Sequence, residues 1–249
     1  MSKQNIFDNE IFFKGYKEIR SRKDNANILF EIPVFFSLLP DLSGKDILDL
    51  GCGYGEHCKA FVEKGASKVI GIDISFKMLE VANKENSDPA IEYINMPMED
   101  IGELDMEFDV VVSSLAFHYI EDYRELVRKI HNKVRPGGLF VFSQEHPLNT
   151  TYGNCDFKRW TKDEYGNKQY VNFANYGVEG VRESEWFING IKKYHRTFST
   201  VINTLIEEGF YIEKIVEPMP DYEFLQKHPE YYDLFHKPDF LIIRALKRY

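Results

Sequence analysis

Three glycines at alternate positions, Gly51, Gly53 and Gly55, follow directly on the mainly apolar run at 47–50. Glycine admits positive φ and lets a ligand approach the backbone without a Cβ in the way. The turn from a parallel strand into a helix N-terminus is where nucleotide-like ligands bind in doubly wound sheets. Asp73 ends the next apolar run, 22 residues after Gly51. A carboxylate there can accept hydrogen bonds from both hydroxyls of a ribose, which disfavours a phosphorylated ribose. Its ordinary alternative is to cap the following helix. Ser75 can take over that capping and leave Asp73 for a ligand. Dinucleotide sites carry Gly-x-Gly-x-x-Gly, and here Glu56 stands where the third glycine would be. A glutamate at a helix start also repels a pyrophosphate. The pattern points to a nucleoside without phosphates.

Four further side chains could move a proton: His118, Glu145, His146 and His195. His118 follows the fourth predicted strand and His146 the fifth, at the edge where ligands bind. Imidazole titrates near neutral pH and suits a general base. Either histidine could instead hydrogen-bond its own loop. Glu145 could bind an acceptor amine. Cys52, Cys58 and Cys155 are odd in number and fit no zinc spacing, so they read as reduced thiols, and no metal site is expected.

The elements that must position these residues can be read from periodicity. Strands are predicted at 47–50, 68–72, 91–95, 108–113, 139–143, 211–217 and 240–246. Helices fall at 56–64, from Ser75 to about 85, at 122–134, at 196–208 and around 223–235. In the 122–134 helix the stripe Tyr123, Leu126, Val127, Ile130 and Val134 has helical spacing. Residues 135–138, Arg-Pro-Gly-Gly, read as a stop and a turn. The run at 27–39 reads as a buried helix with Pro33 near its start. Ahead of it lies an N-terminal arm and short helix in which Tyr16 and Arg20 share a face. Alternating strand and helix over 44–147 means α/β with a parallel sheet.

The alternation breaks after Pro147. Residues 148–195 are polar and aromatic without a clean period, too aromatic for a disordered linker. They read as an insertion over the sheet's C-terminal edge, a lid, in which Tyr152, Trp160, Tyr170 and Trp186 could line an acceptor pocket. Residues 196–249 complete the sheet, and the whole chain is expected to be a single domain.

With 249 residues, 43% of them hydrophobic, there is ample material for one large core. A net charge of −9 disfavours a general nucleic-acid or anionic-membrane binder. No apolar run approaches the ~20 residues of a membrane span, and residues 1–17 have no signal-peptide core. The expectation is a cytoplasmic protein, monomer or homodimer, with no nucleic acid or membrane partner.

The strings ILDLGCGYGEH, VIGIDIS, FDVVVSSLAFHYIED and VRPGGLFVFSQEHP, in that order over 44–147, resemble the class I S-adenosylmethionine-dependent methyltransferases, most of all the small-molecule branch labelled type 11 or 12. The resemblance implies a Rossmann-like seven-stranded sheet, mostly parallel with the last strand antiparallel. It implies methyl transfer from S-adenosylmethionine, with S-adenosylhomocysteine as product, to a small-molecule acceptor. By position it implies that Asp49, Gly51 and Gly53 face the methionine part of the cofactor. Asp73 would bind the ribose, with Ile74 beside the adenine. Relatives often carry Asp where this chain has Pro97, so the adenine contact passes to the Met98 backbone and the Glu99 side chain. Ser114 and Leu115 would lie under the cofactor's amino group. Tyr16 and Arg20 would close over the site, Arg20 pairing with the carboxylate. The other readings kept open are an RNA or protein methyltransferase, an NAD-dependent oxidoreductase and a non-catalytic cofactor-binding protein.

Overall fold

A computed structural model gives the fold and describes residues 3–20, 22, 24–153 and 157–249. The reading of Cys155 lies outside the described residues. Helix α1 (Glu10–Arg20) is followed by a π-helical turn, Asn27–Glu31, and helix α2 (Ile32–Ser37). The run predicted as one helix is thus two pieces, with Pro33 in the first turn of the second, where a missing N–H costs nothing.

Strand β1 (Asp46–Leu50) leads to α3 (Glu56–Glu63), β2 (Lys68–Asp73), α4 (Phe76–Glu85), β3 (Ile91–Asn95), β4 (Phe108–Ser113), α5 (Tyr123–Lys133) and β5 (Val134–Glu145). A short helix, α6 (Pro147–Thr150), opens the region read as a lid. Two hairpins follow: β6 (Trp160–Lys162) with β7 (Lys168–Val171), and β8 (Gly180–Ser184) with β9 (Ile191–His195). Helix α7 (Phe198–Glu207), β10 (Phe210–Val216), α8 (Tyr222–Lys227) and β11 (Phe240–Lys247) end the chain. The helix predicted around 223–235 stops at His228; Pro229 opens a separate 3-10 segment to Phe235.

The main sheet has seven strands in the order β10-β11-β5-β4-β1-β2-β3. β11 runs antiparallel to both neighbours, and the other strands run parallel to one another. The expected architecture is therefore the observed one. Alternate strand residues serve opposite faces. Ile47, Val110, Val112 and Val141 pack with α2 and α3; Leu48, Val111, Phe140 and Phe142 pack with α5 and α7. Both faces are buried, as parallel sheets require.

The Arg-Pro-Gly-Gly segment departs from its reading. It ends α5, but the chain continues within a strand rather than turning away. Between the pairs Phe108↔Val134 and Val110↔Leu139 the register slips, leaving 135–138 looped out opposite Asp109. Arg135 pins this bulge by donating to Asp109 Oδ2 at 2.7 Å and to Asp46 Oδ2 at 2.8 Å.

At the opposite end of the sheet, β1 turns outward between β2 and β4, the point where strand order reverses and clefts open. Gly55, the α3 N-cap, has φ +76°, and a Cβ built on it would lie 2.1 Å from Tyr93 Oη. Gly55→Ala should therefore cost about 2–4 kcal/mol, left-handed strain plus overpacking. Urea unfolding of the purified variant checks this; an unchanged midpoint would show that Tyr93 and the turn relax freely.

Candidate active site

The C-terminal ends of the parallel strands open into one cavity of about 440 Å³. Every residue that the sequence reading assigned to a cofactor lines it: Tyr16, Arg20, Asp49, Gly51, Gly53, Asp73, Ile74, Met98, Glu99, Ser114 and Leu115. The glycine turn forms its floor. Gly53 has φ +54°, and a Cβ there would meet nothing within 4 Å, so this backbone is open to close approach. Gly51 is packed instead: its missing Cβ would come within 2.9 Å of Ala116 Cβ, so the loop after β4 rests against the turn.

Asp73 ties this floor together. Its Oδ2 accepts the Gly53 amide at 2.9 Å and its Oδ1 the Ser75 amide at 2.8 Å. Ser75 Oγ caps α4 by accepting from Met78 N at 3.1 Å, as the sequence suggested. Burial pushes the Asp73 carboxyl up to about 6 against the pull of those two amides. Asp49 is also raised, to about 7, by burial; its one hydrogen bond, from Cys58 Sγ at 3.3 Å, offsets little of that. Cys52 lies in the turn as a small buried side chain, its thiol pushed up to about 11 by burial.

The arm and the second hairpin form the roof. Phe12, Ile6 and Ile191 make a small core of their own, with Phe7, Tyr16, Tyr119 and Phe187 against it. The Gln4 side chain donates to Lys192 O at 3.0 Å and accepts from Lys192 N at 2.8 Å, sewing the arm to β9. Asp8 accepts from Ser75 Oγ at 2.6 Å and Lys77 N at 3.1 Å, anchoring the arm on α4. Arg20 reaches across to Glu56. Glu56 thus serves to hold the arm, and the negative charge that the sequence reading placed at the helix start is paired.

Several expectations are corrected here. Neither His118 nor His146 lines the cavity. His146 accepts from Leu148 N at 3.1 Å, capping α6, and its Nε2 lies 2.7 Å from Glu217. His118 is buried, accepts from Glu145 N at 3.4 Å, and is driven down to about 4 by burial. His195 is held between Thr150 Oγ1 and Tyr176 O, at 2.8 and 2.9 Å. Burial would raise Glu145, but Lys193 at 2.5 Å and His118 drive it down to about 2. Glu145 thus ties the end of β5 to β9, His146 ties it to the residue after β10, and His195 bonds within the insertion.

Tyr152, Trp160, Tyr170 and Trp186 are absent from the cavity wall. Trp160 meets Lys168 and His236, and Tyr152 stacks under Arg159. Trp186 packs on Phe12 and Tyr16 from outside. The insertion's wall residues are Val181, Lys192 and Tyr194. Lys192 and Tyr194 are two apart on β9, and Val181 pairs with Tyr194, so one face of the hairpin looks inward. The alternation in IKKYH was the available signal, hidden because five residues are too few to separate from loop.

A family model, "Methyltransferase domain", matches residues 48–142. An uncharacterised protein of Haemophilus influenzae is 40% identical over 252 residues, covering 99% of this chain and 98% of its own. A provisionally assigned S-adenosylmethionine dependent methyltransferase from Listeria monocytogenes superposes with a TM-score of 0.80 at 39% identity, over 88% of this chain and 97% of that one. An S-adenosylmethionine dependent methyltransferase from Mesorhizobium loti gives 0.77 at 36% identity, over 90% and 99%. The chain belongs to the S-adenosylmethionine-dependent methyltransferases.

The methyltransferase's cavity fits such a cofactor on its own chemistry. Asn27 Oδ1, Tyr54 Oη and His57 Nε2 are buried polar atoms without a hydrogen-bond partner, and all three residues line the cavity near Arg20. Unpaired polar atoms are costly in an interior. They suit the charged ammonium and carboxylate of an amino-acid moiety. Gly53 leaves its stretch of backbone bare on the same cavity wall that carries the Asp73 carboxyl. No helix among the described residues is long and apolar enough to cross a membrane.

Asp49 ionises near its ordinary value in the unfolded chain but only near 7 in the native one. Native stability without ligand is therefore lost between pH 4 and pH 7, as the unfolded chain alone gives up the proton. Asp49→Asn should raise the unfolding midpoint at pH 8, with the gain vanishing by about pH 4. Thermal unfolding across that range checks it; a gain independent of pH would mean the carboxyl is not the cause.

Proposed function

We propose that this methyltransferase acts on a small molecule. The observation that carries this reading is the roof: arm and hairpin, sewn by Gln4 and Lys192, partly cover a cavity of small-ligand size. Its volume, about 440 Å³, is in the range of small-ligand sites. The net charge of −9 supports the same reading, since a nucleic-acid acceptor calls for a basic face.

In this reading Asp73 accepts the ribose hydroxyls while Gly53 and Ser75 hold the carboxylate in place. Ile74, Met98 and Glu99 flank the adenine. Asp49, Gly51 and Gly53 carry the methionine chain. Ser114 and Leu115 take its amino end, and Tyr16 and Arg20 its carboxylate. Arg20 has donors beyond the one given to Glu56. When bound, the cofactor supplies a methyl group on a sulfonium. The chain's own work is orientation and exclusion of water, and alignment of this kind accounts for about 7–11 kcal/mol in favourable cases. The arm and the β8–β9 hairpin act as the lid; the β6–β7 hairpin lies apart from the cavity.

Calorimetry with S-adenosylhomocysteine tests the binding roles. Asp73→Ala should weaken binding about tenfold or more, since a hydrogen bond to a charged group contributes ~1.5–3 kcal/mol. Wild-type affinity should also fall as pH drops below about 6, where Asp73 takes up a proton and loses acceptor capacity. Equal affinity in the variant and a flat pH profile would remove Asp73 from the ribose. For the acceptor, a cell extract split by mass and incubated with methyl-labelled S-adenosylmethionine should label the low-mass fraction. Label confined to RNA or protein would overturn the small-molecule reading.

A further inference from the structure

Glu31 is fully buried, yet it interrupts an otherwise apolar run, Ile28, Leu29, Phe30, Ile32. It ends the π-helical turn Asn27–Glu31, and such turns recur at functional sites. It does not line the cavity. Its Oε1 accepts from Ser114 Oγ at 3.0 Å and from Ser143 Oγ, while its Oε2 has no partner. Burial holds this carboxyl up at about 7. A group kept at such cost to stability calls for a use elsewhere.

The use lies one hydrogen bond further on. Leu115 has φ +53°, a conformation that a residue with a Cβ rarely adopts. Its amide donates to Ser143 O at 3.0 Å and to Ser143 Oγ at 3.1 Å. Ser143 can accept there because its own proton is directed to Glu31. The chain of donors thus runs from Leu115 N–H through Ser143 O–H to Glu31. A second arm runs from Ser114 to the same oxygen. Ser114, Leu115 and Ala116 line the cavity, and Ala116 abuts Gly51. A loop displaced here would intrude on the glycine turn.

We infer that Glu31 is a positioning residue for methyl transfer, holding the 114–116 loop in its left-handed form through Ser143 and Ser114 and so setting the wall of the cofactor cavity. The inference rests on the reading of that cavity as the S-adenosylmethionine site.

The test uses S-adenosylhomocysteine, which needs no acceptor, with calorimetry and thermal unfolding of the full chain. Glu31→Gln keeps the acceptor oxygen and should bind within about threefold of wild type. Glu31→Met removes the acceptor and the buried carboxyl together; it should unfold at the same or a higher temperature, yet bind at least about fivefold more weakly. Asn adopts positive φ readily. In a Leu115→Asn background, Glu31→Met should therefore cost less than about twofold. Glu31→Met binding like wild type would overturn the inference, as would a lower melting temperature with unchanged affinity, the mark of a packing role. An equal loss in both backgrounds would also overturn it, because the loop would then not be the route. If wild type itself fails to bind S-adenosylhomocysteine, the reading of the cavity fails first and is told apart by that result.

Discussion

One buried carboxylate joins the parts of this site. Asp73 leaves the end of β2, accepts the amide of Gly53 from the neighbouring strand's turn, and accepts the amide of Ser75 at the start of α4. Three backbone segments are thereby held at fixed distances around one acceptor. Parallel strands 4.7–4.9 Å apart cannot make such a link through their own ladders once the chain has left the sheet. A side chain of the right length must do it. The arm uses the same anchorage, since Asp8 binds Ser75 Oγ and Lys77 N. Floor and roof therefore share one fixed point.

The cavity floor and the wall behind it are acidic. Asp49 and Glu31 are raised to about 7 and Asp73 to about 6, each chiefly by burial. Such shifts arise when a carboxylate is removed from water and nearby donors and charges offset only part of the loss. A cofactor bearing a sulfonium and an ammonium brings compensating charge. Arg20 adds a positive charge to the cavity wall, and its ion pair with Glu56 holds it there. Asn27, Tyr54 and His57 add unpaired buried polar atoms to the residues around the cavity.

The roof is built from segments far apart in sequence. Phe12 from α1 and Ile191 from β9 share a small core separate from the main sheet's two layers. Few apolar groups hold it, so it opens at less cost than the main sheet. The histidines that looked like bases in the sequence are taken up instead by hydrogen bonds with Glu217, Glu145, Thr150 and Tyr176.

The sequence by itself determined the sheet, its order of elements, and the residues of the cavity floor. Strand and helix periods are local, and the glycine turn and Asp73 lie at strand ends whose position follows from the parallel topology. Tertiary structure alone decided the rest. His118 and His146 sit at strand ends too, but their partners come from residues 27 and 71 positions away. The inward face of β8–β9 is too short to carry a readable period. Glu31 stood out only as a charge in an apolar run, and its two serines come from 83 and 112 positions away. Residues of the cavity floor are set by the nearest turn; residues that shape the space around it are set by contacts between segments that the sequence keeps apart.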